Sequence, residues 1–419
     1  MSLGELSRHS WLGMIHFDSH RHMVLFPVRR LLVPNQVEDA ATDVYLGPST
    51  ESHRSVVLDT MRGFALLGIL FVNFQGQVGE VWPTADYLAR QAIGALARDS
   101  FYPIYAFLFG VGFFHQIQRI DPSGRSSERL YLRRLGALFV IGSVHAVGFW
   151  TGDVLVNYSI LGIALLLVHR MPVSLQLAAA CALIAVSASG RDAVHPLALS
   201  ELSAFDGRPR IDSYLEGLKW RWTVYSEEVW GYTQVSRWIQ SSSLGLFILG
   251  AVGARMHGLM TNAGRRLTTW TVLVVGIAAG VGGHLALMSR LVEAPSVPFT
   301  AAWTAANYGL AATYGAGIAC IIGERAGVHR WLGPLASAGR LSLTNYLTQS
   351  VVLVTAYTPL GIGLNDPGAA FKALVCAAFF FGIQIPLSQW WLARFPMGPV
   401  EWLWRRASYG HLATNRRGA

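Results

Sequence analysis

Lysine is almost missing from this chain of 419 residues: only Lys219 and Lys372 occur, so arginine carries nearly all of the positive charge. Cysteine is scarce too. Cys181, Cys320 and Cys376 sit in apolar segments without CxxC or Cys/His spacing, which excludes a disulfide framework and a zinc site and leaves them as small core residues. Charge of either sign is thin, at 14% of residues against 52% hydrophobic, with a mean hydropathy of +0.38. Those proportions exclude an ordinary soluble multidomain protein and point to a polytopic membrane protein whose first partner is the lipid bilayer. The net charge of +9 would suit nucleic acid, but the arginines stand between apolar runs, where topology signals stand, and no nucleic-acid partner is expected. A removable signal peptide is lacking from the first thirty residues, so the first spanning helix is expected to act as its own insertion signal. His16, His20 and His22 lie where no helical pattern fixes their geometry, and no metal site is assigned to them. Internal repeats are absent as well, which disfavours an inverted-repeat transporter, and neither a broken helix nor a paired repeat is evident.

What is present begins with Val56 to Gln75, long and apolar enough to cross a bilayer yet carrying Asp59, Arg62 and Asn73. On an ideal helix these three fall within roughly 60° of one another, with Asp59 and Asn73 about 21 Å apart along the axis. Lipid cannot hydrogen-bond such a face, so it should point into the bundle or a wet cavity. A polar interval follows around Glu80 to Asp99, then apolar runs near 101–118, 135–149, 153–168 and 173–189. Residues 190–236 mix charges with aromatic rings and hold no spanning run, which predicts a long external segment, partly helical at the interface. Further spans read near 239–256, 268–289, 299–322, 335–358 and 370–393. The expected fold is all-α: a membrane helix bundle of about ten spans with both termini cytoplasmic, because the arginine-rich connections fall on one side under that orientation. Its domains are an N-terminal extension over 1–53, a transmembrane domain over 54–410 and a basic tail over 411–419.

Three groups of residues are candidates for chemistry. Asp59 and Arg62 can pair at i, i+3 near the cytoplasmic end of the first helix, either as an anchoring salt bridge or with Arg62 as a clamp for a phosphate or carboxylate, a role for which a planar guanidinium is suited. His145 ends the third span and Asp153 opens the fourth, so a tight hairpin brings them within reach. That pair is either a general base with its tautomer fixed by the carboxylate, or an interhelical hydrogen bond beside a helix cap. Asn345 and Gln349 share a face with Ser342, and the choice there lies between gluing helices together and lining a route with Asn73.

The segments LDTMRGFALLGILFVN, FLFGVGFFHQIQR, RRLGALFVIGSVHAVGFWTGDVLVNYSILG, GRLSLTNYLTQS and GPVEWLWRRASYG together resemble the YeiB-like family of bacterial inner-membrane proteins, in order from about Arg54 to Tyr409. The first of them is also similar to the opening of heparan-α-glucosaminide N-acetyltransferase and related multi-pass acyltransferases, with Asp59, Arg62, Gly63 and Asn73 on the matching positions. The resemblance implies a multi-pass protein of the bacterial plasma membrane that moves an acyl group from cytoplasmic acyl-CoA to a small-molecule or envelope acceptor, with no bound cofactor and no metal. A transporter without covalent chemistry is the alternative. The acetyltransferase's histidine segment falls at Tyr87 to Tyr102, where this chain has no histidine, and His115 lies at the other end of the second span. His145, with Asp153, therefore takes the catalytic expectation, and Asp59, Arg62, Asn73, Asn345 and Gln349 the substrate-binding one.

Overall fold

The computed structural model describes residues 55–74, 84–118, 127–150, 152–190, 214–230, 234–289, 296–324, 329–357 and 368–410. All belong to one compact unit, Leu46–Ala419; the other unit, Met1–Tyr45, lies outside the described residues, as do His16, His20 and His22, the 1–53 extension and the 411–419 tail. Every regular element described is a helix. In order they are α1 (Val56–Phe74), α2 (Thr84–Leu96), α3 (Tyr102–Ile117), α4 (Ser127–Gly148), α5 (Leu155–Val168), α6 (Val173–Gly190), α7 (Tyr214–Trp230) and α8 (Gln234–Leu259). They continue with α9 (Asn262–Met288), α10 (Val297–Glu324), α11 (His329–Arg340), α12 (Ser342–Tyr357), α13 (Ala369–Phe379), a π-turn (Phe380–Gln384), α14 (Ile385–Leu392) and α15 (Pro399–Tyr409). Among the described residues, five stretches are long and apolar enough to cross a membrane: Val56–Asn73, Ser127–Gly148, Asn262–Met288, Val297–Gly323 and Ala369–Leu392.

The surface is that of a membrane protein. Along α9 the buried residues are Gly276, Gly280 and Gly283, while Val274, Val275, Val281 and Leu285 are exposed. Lipid gives no hydrophobic reason for helices to associate, so contact relies on small residues that let backbones meet; here Gly280 and Gly309 lie backbone against backbone between α9 and α10. The same device joins α3 to α8 through Gly110 and Gly250, and α1 to α11 through Gly63 and Gly339. A Cβ on Gly63 would overlap the Leu335 carbonyl, and one on Gly339 the Asp59 carbonyl. The α1–α11 crossing is therefore fixed where Asp59, Arg62 and Arg340 lie.

Two expectations are corrected. The span read at 335–358 is not continuous: α11 ends at Arg340 and α12 begins at Ser342, so a broken helix is present after all. The break survives because Glu401, from α15, accepts hydrogen bonds from the backbone N–H of Leu343 (2.8 Å) and Thr344 (3.0 Å), supplying the cap that a helix start needs. The third span also begins earlier, at Ser127, since the arginine-rich stretch before Leu135 continues the helix by just over two turns. Within the polar interval lies α2, whose Asp86 accepts from Ala370 N–H (2.9 Å) at the start of α13. The long segment between the fifth and sixth expected spans contains α7, which lies on the end of α4: Tyr225 pairs with Ser143 (2.7 Å), Arg221 donates to the Val147 carbonyl (2.7 Å) and Tyr214 to the Gly148 carbonyl (3.2 Å).

Candidate functional site

A narrow cavity of about 280 Å³ runs through the bundle. One whole face of α3 lines it, from Tyr102 through Tyr105, Phe109 and Gly112 to Gln116. At 1.5 Å per residue that is a run of about 21 Å, so the space is a slot rather than a chamber. At the Gln116 end the walls carry Arg62 of α1, Arg134 of α4, Arg340 of α11, and Glu401 and Arg405 of α15. At the Tyr102 end they carry Tyr158, Val154 and Tyr346.

Most of the arginines are held in place. Arg62 donates to Asp59 Oδ1 at 2.8 Å, with the carboxylate buried and the guanidinium part-exposed. The Tyr105 hydroxyl, in turn, donates to the Arg62 carbonyl at 2.9 Å. Arg134 lies over the Trp404 ring at 4.2 Å, and the Trp404 indole N–H donates to the Arg134 carbonyl at 2.8 Å, which ties α15 to α4 beneath the slot. Burial pushes the Glu401 carboxyl up, against the Thr344 hydroxyl and the backbone N–H groups that bond to it and pull it down. Replacing Glu401 by alanine strands two backbone donors at a buried helix start, at a cost of about 1–3 kcal/mol each. Glu401→Ala is thus expected to lower the thermal midpoint in detergent by several degrees, with Glu401→Gln recovering part of the loss.

Behind Tyr346 lies the histidine. Its ring centroid is 5.1 Å from that of Tyr346, and its Nδ1 is 2.6 Å from Asp153 Oδ2, both side chains being almost wholly buried. Asp153 does two jobs. Its other oxygen accepts from the N–H of Leu155 (2.8 Å) and Val156 (3.0 Å), capping α5, so the helix cap fixes the carboxylate that fixes the imidazole. With the carboxylate at Nδ1, the neutral ring keeps its proton there and leaves the Nε2 lone pair free; Nε2 is buried and has no hydrogen-bond partner among the described residues. Such a nitrogen can accept a proton from an incoming hydroxyl or amine.

The structure thus brings Asp59 to Arg62 and His145 to Asp153, with Arg62 on the slot and His145 one ring away from it. Asn345 and Gln349 lie elsewhere. Asn345 donates to Ser388 (3.0 Å) and to the Ala338 carbonyl (3.0 Å), while Gln349 and Gln384 pair at 2.9 Å and Gln384 donates to the Asn345 carbonyl. This network locks α12 to α11 and to the π-turn. Asn73 is half-buried near the end of α1 and does not line the slot. Arg134, Arg340, Glu401, Arg405 and Gln116 are site residues that sequence reading passed over; the quoted segments contain all of them, but as motif letters rather than as parts of one cavity. No group of three or more His, Cys, Asp or Glu able to hold a metal occurs among the described residues.

Residues 254–411 match a family model described as a protein of unknown function (DUF418). The uncharacterised protein YxaH of Bacillus subtilis (strain 168) is 26% identical over 87% of this chain and 96% of its own length. The uncharacterised protein YeiB of Escherichia coli (strain K12) is 26% identical over 84% of this chain and 96% of its own. An uncharacterised 39.9 kDa protein of Bacillus acidopullulyticus is 27% identical over 87% of this chain. Each similarity runs well beyond the family segment, so the chain is similar to YeiB-like proteins over most of its length, and the region that matches DUF418 holds Arg340, Glu401 and Arg405.

Proposed function

We propose that this protein is an acyltransferase of the bacterial plasma membrane, with ten spans (α1, α3, α4, α5, α6, α8, α9, α10, α12 and α13–α14) and with the segments before α1 and after α15 on the cytoplasmic side. The observation that carries the reading is the slot itself, which joins an arginine-lined end to the wall in front of a buried His–Asp pair. Under this orientation the arginine end faces the cytoplasm, consistent with the excess of arginine in the same connections. Acyl-CoA enters there, past Arg62 and Asp59, and its narrow uncharged arm occupies the slot. The acceptor comes from the α7 side. Rotation of Tyr346 opens the slot to His145, whose Nε2 takes the proton from the acceptor's hydroxyl or amine as that atom bonds to the acyl carbon; the C–S bond breaks and coenzyme A leaves as the thiolate. Asp153 stabilises the imidazolium so formed. Purified protein in lipid is expected to release coenzyme A from acyl-CoA only when an acceptor extract from the cell envelope is present. Release that is absent, or independent of the acceptor, overturns the proposal.

The break between α11 and α12 favours a second reading, transport, because interrupted helices with a start facing a cavity are a recurring feature of transporter binding sites. Flux of an unmodified solute in proteoliposomes, without coenzyme A release, would select it.

A further inference from the structure

The arginine end of the slot contains more hydrogen-bond donors than the protein itself uses. Gln116 and Tyr131 both line it and are both buried, and neither the Gln116 side-chain N–H nor the Tyr131 hydroxyl has a hydrogen-bond partner among the described residues. Leaving such donors unsatisfied costs about 1–3 kcal/mol each, so a site that keeps two of them is shaped around acceptor atoms that arrive with a ligand. The same cavity is lined by Arg62, Arg134, Arg340 and Arg405, of which Arg134 acts directly on Tyr131, against one carboxylate in the lining, Glu401. Glu401 is directed to the α12 start rather than to the cavity's cations. The arginines need not be unpaired to serve: a guanidinium has five N–H donors, and Arg62 held by Asp59, Arg134 stacked on Trp404, and Arg340 reaching the Pro396 carbonyl (3.4 Å) are placed in advance with donors to spare.

We propose that this end of the slot is a phosphate-binding site, in which Arg62, Arg134, Arg340 and Arg405 hold the phosphoryl oxygens and Gln116 and Tyr131 complete the cage from the α3 and α4 side. A phosphoryl group presents several acceptor oxygens in a small volume and no donor, which matches a lining that offers planar, bidentate donors and orphaned N–H and O–H groups. A carboxylate has two oxygens and would leave more of these donors unmet. The slot leading away from the arginines is narrow and lined by aromatic and aliphatic side chains, so the phosphate belongs to a molecule with an extended uncharged arm: a soluble phosphopantetheine-type thioester carrier, or a lipid phosphate whose chain enters the slot. The site shares its cavity with the acyl-transfer reading but requires no acyl transfer.

The test uses the full chain in nanodiscs of zwitterionic lipid, titrated by calorimetry with desulfo-coenzyme A and with inorganic pyrophosphate, alongside nanodiscs doped with phosphatidic acid whose effect is read as thermal stabilisation. Saturable binding or stabilisation is expected, at least tenfold weaker in Tyr131→Phe, Gln116→Leu, Arg134→Gln and Arg405→Gln, and unchanged in Gly136→Ala. Tyr131→Phe removes a single oxygen, and size-exclusion profiles matching the wild type show that the variants fold. Response to desulfo-coenzyme A and pyrophosphate identifies a soluble ligand; response only to phosphatidic acid identifies a lipid one. The proposal is overturned if none of the three is bound, or if binding persists in Arg134→Gln and Tyr131→Phe. Acyl-pantetheine, which lacks phosphate, separates this from the reaction: equal turnover of acyl-pantetheine and acyl-CoA, with none of the three probes bound, removes the phosphate site and leaves acyl transfer, whereas binding without any turnover keeps the site and removes the transfer.

Discussion

Replacing His145 by alanine is expected to lower acceptor-dependent coenzyme A release by about 10²–10⁴-fold, the range a positioned general base contributes, while leaving donor affinity near that of the wild type. The geometry separates this from a structural defect. A merely structural histidine, serving only to tie α4 to α5, would lower stability when removed yet leave the activity of the remaining folded protein intact. Asp153→Asn gives a second readout. Its retained oxygen can still cap α5 through Leu155 and Val156, but the amide no longer stabilises an imidazolium at Nδ1. Its kcat should fall while the protein stays folded and donor affinity stays near that of the wild type. Full turnover by folded His145→Ala would remove the residue from the mechanism.

The second large effect is expected at the α1–α11 crossing. Gly63→Val and Gly339→Val each place atoms where the facing backbone already stands, the Leu335 carbonyl in one case and the Asp59 carbonyl in the other. A flexible neighbour could yield, but backbone on both sides cannot move without separating the helices, so each variant should lose more than about 3 kcal/mol, above the usual range for overpacking. The functional loss should exceed the loss of stability, since separating the helices also parts Arg62 from Arg340. Gly136 supplies the control: a Cβ there meets nothing within 4 Å, and Gly136→Ala should leave stability unchanged or raise it by up to about 1 kcal/mol. Thermal unfolding in a single detergent, with and without the phosphate ligand, measures both.

Some of this was legible in the chain and some was not, for physical reasons. The bounds of α1 follow from an abrupt change in composition, and the His145–Asp153 pair from a hairpin too short to keep its ends apart. Both are local. The break at Leu341 was hidden because Arg340, Ser342 and Asn345 around it read as the polar face of one continuous span, and the carboxylate that caps the new helix start, Glu401, arrives from far along the chain. Asn345 and Gln349 do share a face, as their spacing requires, but spacing cannot name the neighbour, and Ser388 and Gln384 turn that face into an interhelical seam. Arg134 and Arg405 were visible only as contributors to topology. A positive residue at the end of a span explains itself too easily, so its second use, facing a cavity, leaves no mark in a single sequence.

The position of α15 has a consequence for biogenesis. Glu401, Trp404 and Arg405 come from the final described helix, yet they cap α12, hold Arg134 and floor the slot. During synthesis all the earlier helices can enter the bilayer before this one leaves the ribosome, so the nascent protein passes through a stage that is inserted but has no finished site. Ligand competence is therefore gained only once α15 has left the ribosome, and a ribosome stalled before residue 399 leaves an inert bundle in the membrane.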